Sequence, residues 1–85
     1  MSILLLNFIL GGIFMPNFSD RLKELRKLKG LTQKQIAIHF EMTERNYQRL
    51  EASNSPSYEN LIRFADYFNV STDYILGRSD NPTRY

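Results

Sequence analysis

The chain reads as an all-α protein, a five-helix domain behind a short apolar N-terminal arm. Three observations predict this. From Phe18 onward apolar residues recur at three- and four-residue spacing, and no alternating period of two appears after residue 16. Asn, Ser or Thr stands before each such stretch, where helix N-caps belong. The connections between stretches are short, which forces neighbouring helices into contact.

Each element has its own signals. Phe18, Leu22, Leu25 and Leu28 make the stripe of the first helix, with Asn17 or Ser19 as its cap and Gly30 as its end. Thr32 opens the second helix, and Gln35 stands at capping-box spacing from it. Ile36, Ala37 and Phe40 form its apolar face. Glu41-Met42 makes a tight connection, and Thr43 caps a third helix that buries Tyr47 and Leu50. After the Ser53–Pro56 loop, Ser57 caps a fourth helix with Tyr58, Leu61, Ile62, Ala65 and Phe68 inside. Asn69-Val70 turns the chain, Ser71 caps a fifth helix that buries Tyr74 and Ile75, and Gly77 stops it. Three segments follow: an arm over residues 1–16, a domain over 17–78, and a polar tail over 79–85 that is expected to be loose.

With 85 residues there is room for one core. The absence of cysteine excludes a disulfide framework and a thiolate metal site, and the single histidine, His39, cannot hold a metal alone. No metal and no cofactor are therefore expected. A cytoplasmic protein that is stable without cross-links is the simplest expectation. Net charge is only +2, but its distribution is uneven. Residues 20–49 hold eight Lys/Arg against four acids, whereas residues 50–85 hold three against five. That is a modest footprint for a polyanionic partner in the first half.

Residues 1–17 carry no charged side chain. The run is shorter than the roughly 20 apolar residues that span a bilayer, and it lacks the basic start of a secretory signal, so no membrane role is expected. An ordered apolar arm must be covered. The expectation is a homodimer that pairs through residues 1–15. The alternative is that Met15 is the biological start.

Two short helices about three residues apart have helix-turn-helix spacing, in which the second helix enters the major groove of DNA. The third helix suits that task. Arg45, Gln48 and Arg49 share one face, with Glu44 and Asn46 beside them, while Tyr47 and Leu50 point away. Arg can give two hydrogen bonds to guanine, Gln and Asn can pair two ways with adenine, and Glu can accept from cytosine.

The order of motifs, LTQxxIA, then YQRLE, then NSPSYENLIRFADYFNVSTDYILGR, resembles the phage-repressor/Cro-like (XRE-type) helix-turn-helix regulators across roughly residues 18–79. In particular, it looks like the small prophage-type regulators of Gram-positive bacteria. The resemblance implies a repressor that binds double-stranded DNA as a dimer, with helix five as a second possible pairing surface. It implies base contacts from Arg45 and Arg49, with Glu44, Asn46 and Gln48 as neighbours. It implies phosphate contacts from Gln33, a role that the free amides of a helix start also suit. The loop residues Asn54, Ser55, Ser57 and Tyr58 match the part that clasps the DNA backbone, and Lys34 and Thr43 join that set. Lys29 is a further candidate. Arg26 and Glu51 match an internal salt bridge. The loop lacks the Lys/Arg of some relatives, and the usual glycines are replaced by Glu41 and Ser53, so an unusual turn conformation is expected at either.

A second function class stays open: a protein-interaction module of antitoxin or anti-repressor type that keeps the fold without reading DNA. The acidic Glu44 and the apolar arm favour it. No acid/base pair beside a pocket is evident, so no enzymatic activity is expected.

Overall fold

A computed structural model describes residues 16–84, and among these it contains five helices and no strand. They are α1 (Phe18–Leu28), α2 (Gln33–His39), α3 (Glu44–Ala52), α4 (Tyr58–Phe68) and α5 (Thr72–Ile75). The arm, and any pairing through it, lies outside the described residues.

Every helix starts on a side chain that accepts a backbone N–H three residues on. The caps are Asn17, Thr32, Thr43, Ser57 and Ser71. Asn17 and Asp20 cap each other reciprocally, as do Thr32 and Gln35. Ser19 is not a cap. It is buried, and its hydroxyl donates to the Glu51 carbonyl at the end of α3.

Four helices end alike. The chain turns left-handed at Gly30, Glu41, Asn69 and Gly77, all with φ between 55° and 80°. At each, two backbone bonds run back into the helix; after α1 they are Gly30 N–H to Lys27 (2.9 Å) and Leu31 N–H to Arg26 (3.2 Å). This pair of hydrogen bonds satisfies carbonyls that the helix itself cannot. Only α3 differs, because Ser53 is extended at φ −94°. Of the two positions expected to be unusual, Glu41 is left-handed and Ser53 is not.

The core gathers around Phe64. Its ring lies 4.8 Å from Phe40, 6.2 Å from Tyr47 and 6.3 Å from Phe18, centroid to centroid. Leu22, Ile36 and Ile75 are wholly buried beside it. Two expected core positions are not in the core. Leu28 is 75% exposed and Tyr58 79%. At about 100° per residue, Phe18, Leu22 and Leu25 cluster within about 60°, and Leu28 falls another 60° round the helix. Tyr58 is the first residue of α4, before the helix reaches its packing partners. Leu50, Leu61 and Ile62 are half-buried.

The tail is held along the molecule rather than loose. The Arg21 guanidinium stacks 3.9 Å from the Tyr74 ring centre and pairs with Asp80 at 2.8 Å. The Ser71 amide donates to the Pro82 carbonyl at 3.0 Å. Arg84 donates to the Ala65 carbonyl at 3.0 Å and pairs with Asp66 at 2.6 Å, closing the end of α4. Polar residues suggest a mobile end only when they find no partners, and these do.

These helix ends generate a stability series for chemical denaturation. A Cβ at Gly77 would stand 1.9 Å from the Pro16 carbonyl oxygen, whereas one at Gly30 would meet nothing within 4 Å. Gly30→Ala should cost about 1–2 kcal/mol from left-handed strain alone, and Gly77→Ala clearly more. Glu41→Gly should stabilise by about 1 kcal/mol, because it removes the same strain from a non-glycine residue.

Candidate nucleic-acid interface

The turn Phe40–Thr43 sets α3 against α2, and α3 is rooted from below. Tyr47 is fully buried, Glu51 is 1% exposed, and Leu50 is half-buried. Glu44, Arg45, Asn46, Gln48 and Arg49 are all exposed. At about 100° per residue they fan round the helix in the order 44, 48, 45, 49, 46. The two arginines take the centre. Gln48 lies on the flank towards α2, where its amide donates to Gln33 Oε1 at 3.3 Å. Asn46 and Arg49 turn towards α4 and share with Met42, Leu50, Ser53 and Asn60 a groove of about 450 Å³. Among the described residues, neither Arg45 nor Arg49 is paired with a carboxylate; the ion pairs are Arg21–Asp80, Arg26–Glu51 and Arg84–Asp66.

What holds α3 in place is a buried ion pair. Arg26 of α1 grips both carboxylate oxygens of Glu51, at 2.8 and 3.1 Å, and gives a third bond to the Leu31 carbonyl at 2.8 Å. The side chains are only 12% and 2% exposed. Gln33 of α2 adds a bond to Glu51 Oε1 at 3.1 Å. One carboxylate thus ties three helices together. Burial pushes the Glu51 carboxyl upward, but the bond from Arg26, the neighbouring Tyr47 hydroxyl and Gln33 outweigh it, leaving the group below its ordinary 4.5. The Glu51 bond raises Arg26, against burial. Burial raises the Tyr47 hydroxyl, and Glu51 adds to the shift. That hydroxyl is buried and has no hydrogen-bond partner among the described residues.

The other candidate residues lie at the edges of this face. Lys34 is exposed in the first turn of α2. The Thr43 and Ser57 hydroxyls accept the amides of Asn46 and Asn60, and each still has its own hydrogen to donate. Ser55 is exposed, with its amide on the Ser53 hydroxyl at 3.1 Å. Asn54 accepts the Ser19 amide N–H on its side-chain oxygen at 3.2 Å, clamping the loop to the start of α1. Lys29 lays its ammonium 4.3 Å from the centre of the Tyr67 ring, which engages it on the α4 side. His39 packs 4.3 Å from the same ring. No group able to hold a metal occurs among the described residues. Two contacts had no signal in the sequence: the Gln48–Gln33 bond, which depends on how α2 and α3 cross, and the Ser19–Glu51 bond.

This arrangement of two helices and a tight turn defines the helix-turn-helix class. The helix-turn-helix family profile matches residues 22–75, and the chain belongs to that family. It is 38% identical over 66 residues to the HTH-type transcriptional regulator YobD of Bacillus subtilis, covering 76% of this chain and 59% of that one. It is 36% identical over 65 residues to the HTH-type transcriptional regulator ImmR of the same organism (75% and 51%). It is 38% identical over 65 residues to YqaE, also an HTH-type transcriptional regulator of B. subtilis (75% and 56%). The match spans a little over half the length of these relatives. No solved structure gives a significant match.

Arg26→Met leaves Glu51 charged and buried without its partner. It should cost about 3–5 kcal/mol in denaturant unfolding, and much of that should return in the Arg26→Met/Glu51→Met double variant. The pH dependence has a defined sign. A carboxyl held below its ordinary value contributes stability above the unfolded value of 4.5 and loses it as pH falls through the folded value. The stability gap between wild type and Glu51→Gln should therefore be constant above about pH 5.5 and close below 4.5.

Proposed function

We propose that the protein is a sequence-specific double-stranded DNA-binding regulator of transcription, acting as a repressor, with α3 in the major groove. The observation that supports this best is the rooted helix itself. Five polar side chains are exposed on the outer side of α3, and the opposite side is fixed by Tyr47 and the Arg26–Glu51 pair. A base-reading helix needs that combination, because base edges are discriminated only by side chains whose origin does not move. The names of the relatives point the same way.

In this reading Arg45 and Arg49 approach base edges. Glu44, Asn46 and Gln48 contact bases at the flanks. Gln33, Lys34, Thr43, Asn54, Ser55, Ser57 and Tyr58 meet the backbone of the strands on either side. Gln33 keeps one amide hydrogen for a phosphate after serving Glu51, and Asn54 keeps its amino group after serving Ser19. Two copies, paired through residues 1–15 or through α5, would set their α3 helices about 34 Å apart on a near-palindromic operator. Occupying that site excludes polymerase from the promoter. No cofactor is required for any of these steps.

Selection of tight binders from a random duplex pool, followed by gel shift across a salt series, tests the proposal. Arg45→Ala and Arg49→Ala should each cost about 1–3 kcal/mol on the selected site and relax preference at particular base pairs. Lys34→Ala should weaken all duplexes alike and lower the salt slope by about 1. If no duplex is bound, or binding is indifferent to salt, the protein-interaction alternative takes its place.

A further inference from the structure

The groove beside α3 is built on one stripe of that helix and its flanks. Met42, Asn46, Leu50 and Ser53 recur at helical spacing with Arg49 next to them, and Asn60 of α4 closes the opposite wall. The floor is apolar. Met42 and Leu50 are half-buried and pack on the core, which holds them in place from below. Above them stand three side chains that can donate hydrogen bonds, the Arg49 guanidinium and the Asn46 and Asn60 amides. No carboxylate lines the groove. At about 450 Å³, with an apolar floor under a few convergent polar groups, it has the size and make-up of a small-molecule site. A second groove, of about 470 Å³ on the outer face of α1, lacks that make-up. There Asp20 and Glu24 stand beside Lys23 and Lys27, so its charges already balance, and Leu28 is its single apolar residue.

We infer that the groove between α3 and α4 binds small monocarboxylates that carry an apolar body, and that such an occupant takes Arg49 away from DNA. The guanidinium fork matches a carboxylate with two parallel hydrogen bonds. One cation balances one negative charge, which a phosphate monoester, at about −1.5 to −2, exceeds. The hydrocarbon part lies over Met42 and Leu50, and the flexible Met42 side chain adapts to its shape. Asn46 and Arg49 line the groove and also belong to the face proposed for bases. Ligand and duplex therefore compete for the same two side chains. The competition rests on α3 reading DNA, whereas the binding of the carboxylate does not.

The test titrates the labelled full chain with hexanoate, and with hexanol and acetate as its uncharged and its short counterparts, followed by nuclear magnetic resonance. Hexanoate should shift the Met42 methyl and the Asn46, Arg49 and Asn60 side-chain signals saturably, and bind about tenfold tighter than either counterpart. Arg49→Met keeps the length and removes the charge. It should weaken hexanoate about tenfold and leave hexanol unchanged. Asn60→Asp sets a carboxylate in the wall, in the first turn of α4 where an acid suits the helix, and should weaken hexanoate at least as much. Circular dichroism checks that both variants fold. In gel shift on the selected duplex, hexanoate should weaken binding, and acetate at the same concentration should not. The carboxylate site is overturned if hexanol or acetate binds as tightly as hexanoate, if no signal of the groove saturates, or if Arg49→Met leaves hexanoate affinity unchanged. Duplex binding that is indifferent to hexanoate overturns the competition. If no duplex is bound at all, the DNA-binding reading fails and the competition with it, and the titration still decides the groove.

Discussion

One carboxylate organises the molecule. Glu51 sits at the end of the helix that carries the exposed polar fan, and it is bound by α1 through Arg26 and by α2 through Gln33. Its backbone carbonyl is bound as well, by Ser19 at the start of α1. A charged pair this deep is a costly way to hold helices, since apolar residues of the same volume often hold them as well or better. It has a property that apolar packing lacks. Fork-shaped donors and a two-oxygen acceptor meet in one register only, so α3 cannot slide or roll relative to α1 without breaking bonds. Under the proposed reading, in which the free side of α3 meets base edges, fixed register matters more than added stability.

The helix ends complete the frame. Helices of seven and nine residues are too short to persist alone, so their boundaries must be set by neighbours and caps. Five side-chain caps begin them and four left-handed turns end them. The turn between α2 and α3 is the strained one, because a glutamate takes a conformation that suits glycine. A glutamate that closes this turn restricts the unfolded chain more than glycine would, which partly offsets the strain. The tail adds a second tie, threading Arg21, Ser71 and Arg84 along the side of α4 and α5.

Much of this was legible in the sequence because it is local. Caps at Thr32, Thr43, Ser57 and Ser71 follow from short-range chemistry, and so does the buried stripe of Ile36, Ala37 and Phe40. The fan from Glu44 to Arg49 follows from helical spacing alone. What escaped depends on distance in space. Leu28 and Tyr58 carry apolar side chains at helix ends, and only the packing partners decide that they face solvent. The tail looked unattached because Asp80, Pro82 and Arg84 have no partners nearby in sequence. The roles of Gln33, Gln48 and Asn54 shift for the same reason. Each has a hydrogen-bond partner on another element, 15 to 35 residues away, that claims part of its capacity before any ligand arrives.

The central claim is that α3 is a rigid reading edge, held by the Arg26–Glu51 pair and engaged through its outer face. Nuclear magnetic resonance of the labelled protein, titrated with a selected duplex, tests it most directly. The account predicts that side-chain signals of Arg45, Gln48 and Arg49 move strongly, while the Arg26 Nε–H and the Glu51 carboxylate keep their positions through the titration. Shifts confined to α5 and the tail, or loss of the Arg26 signal on binding, would contradict it.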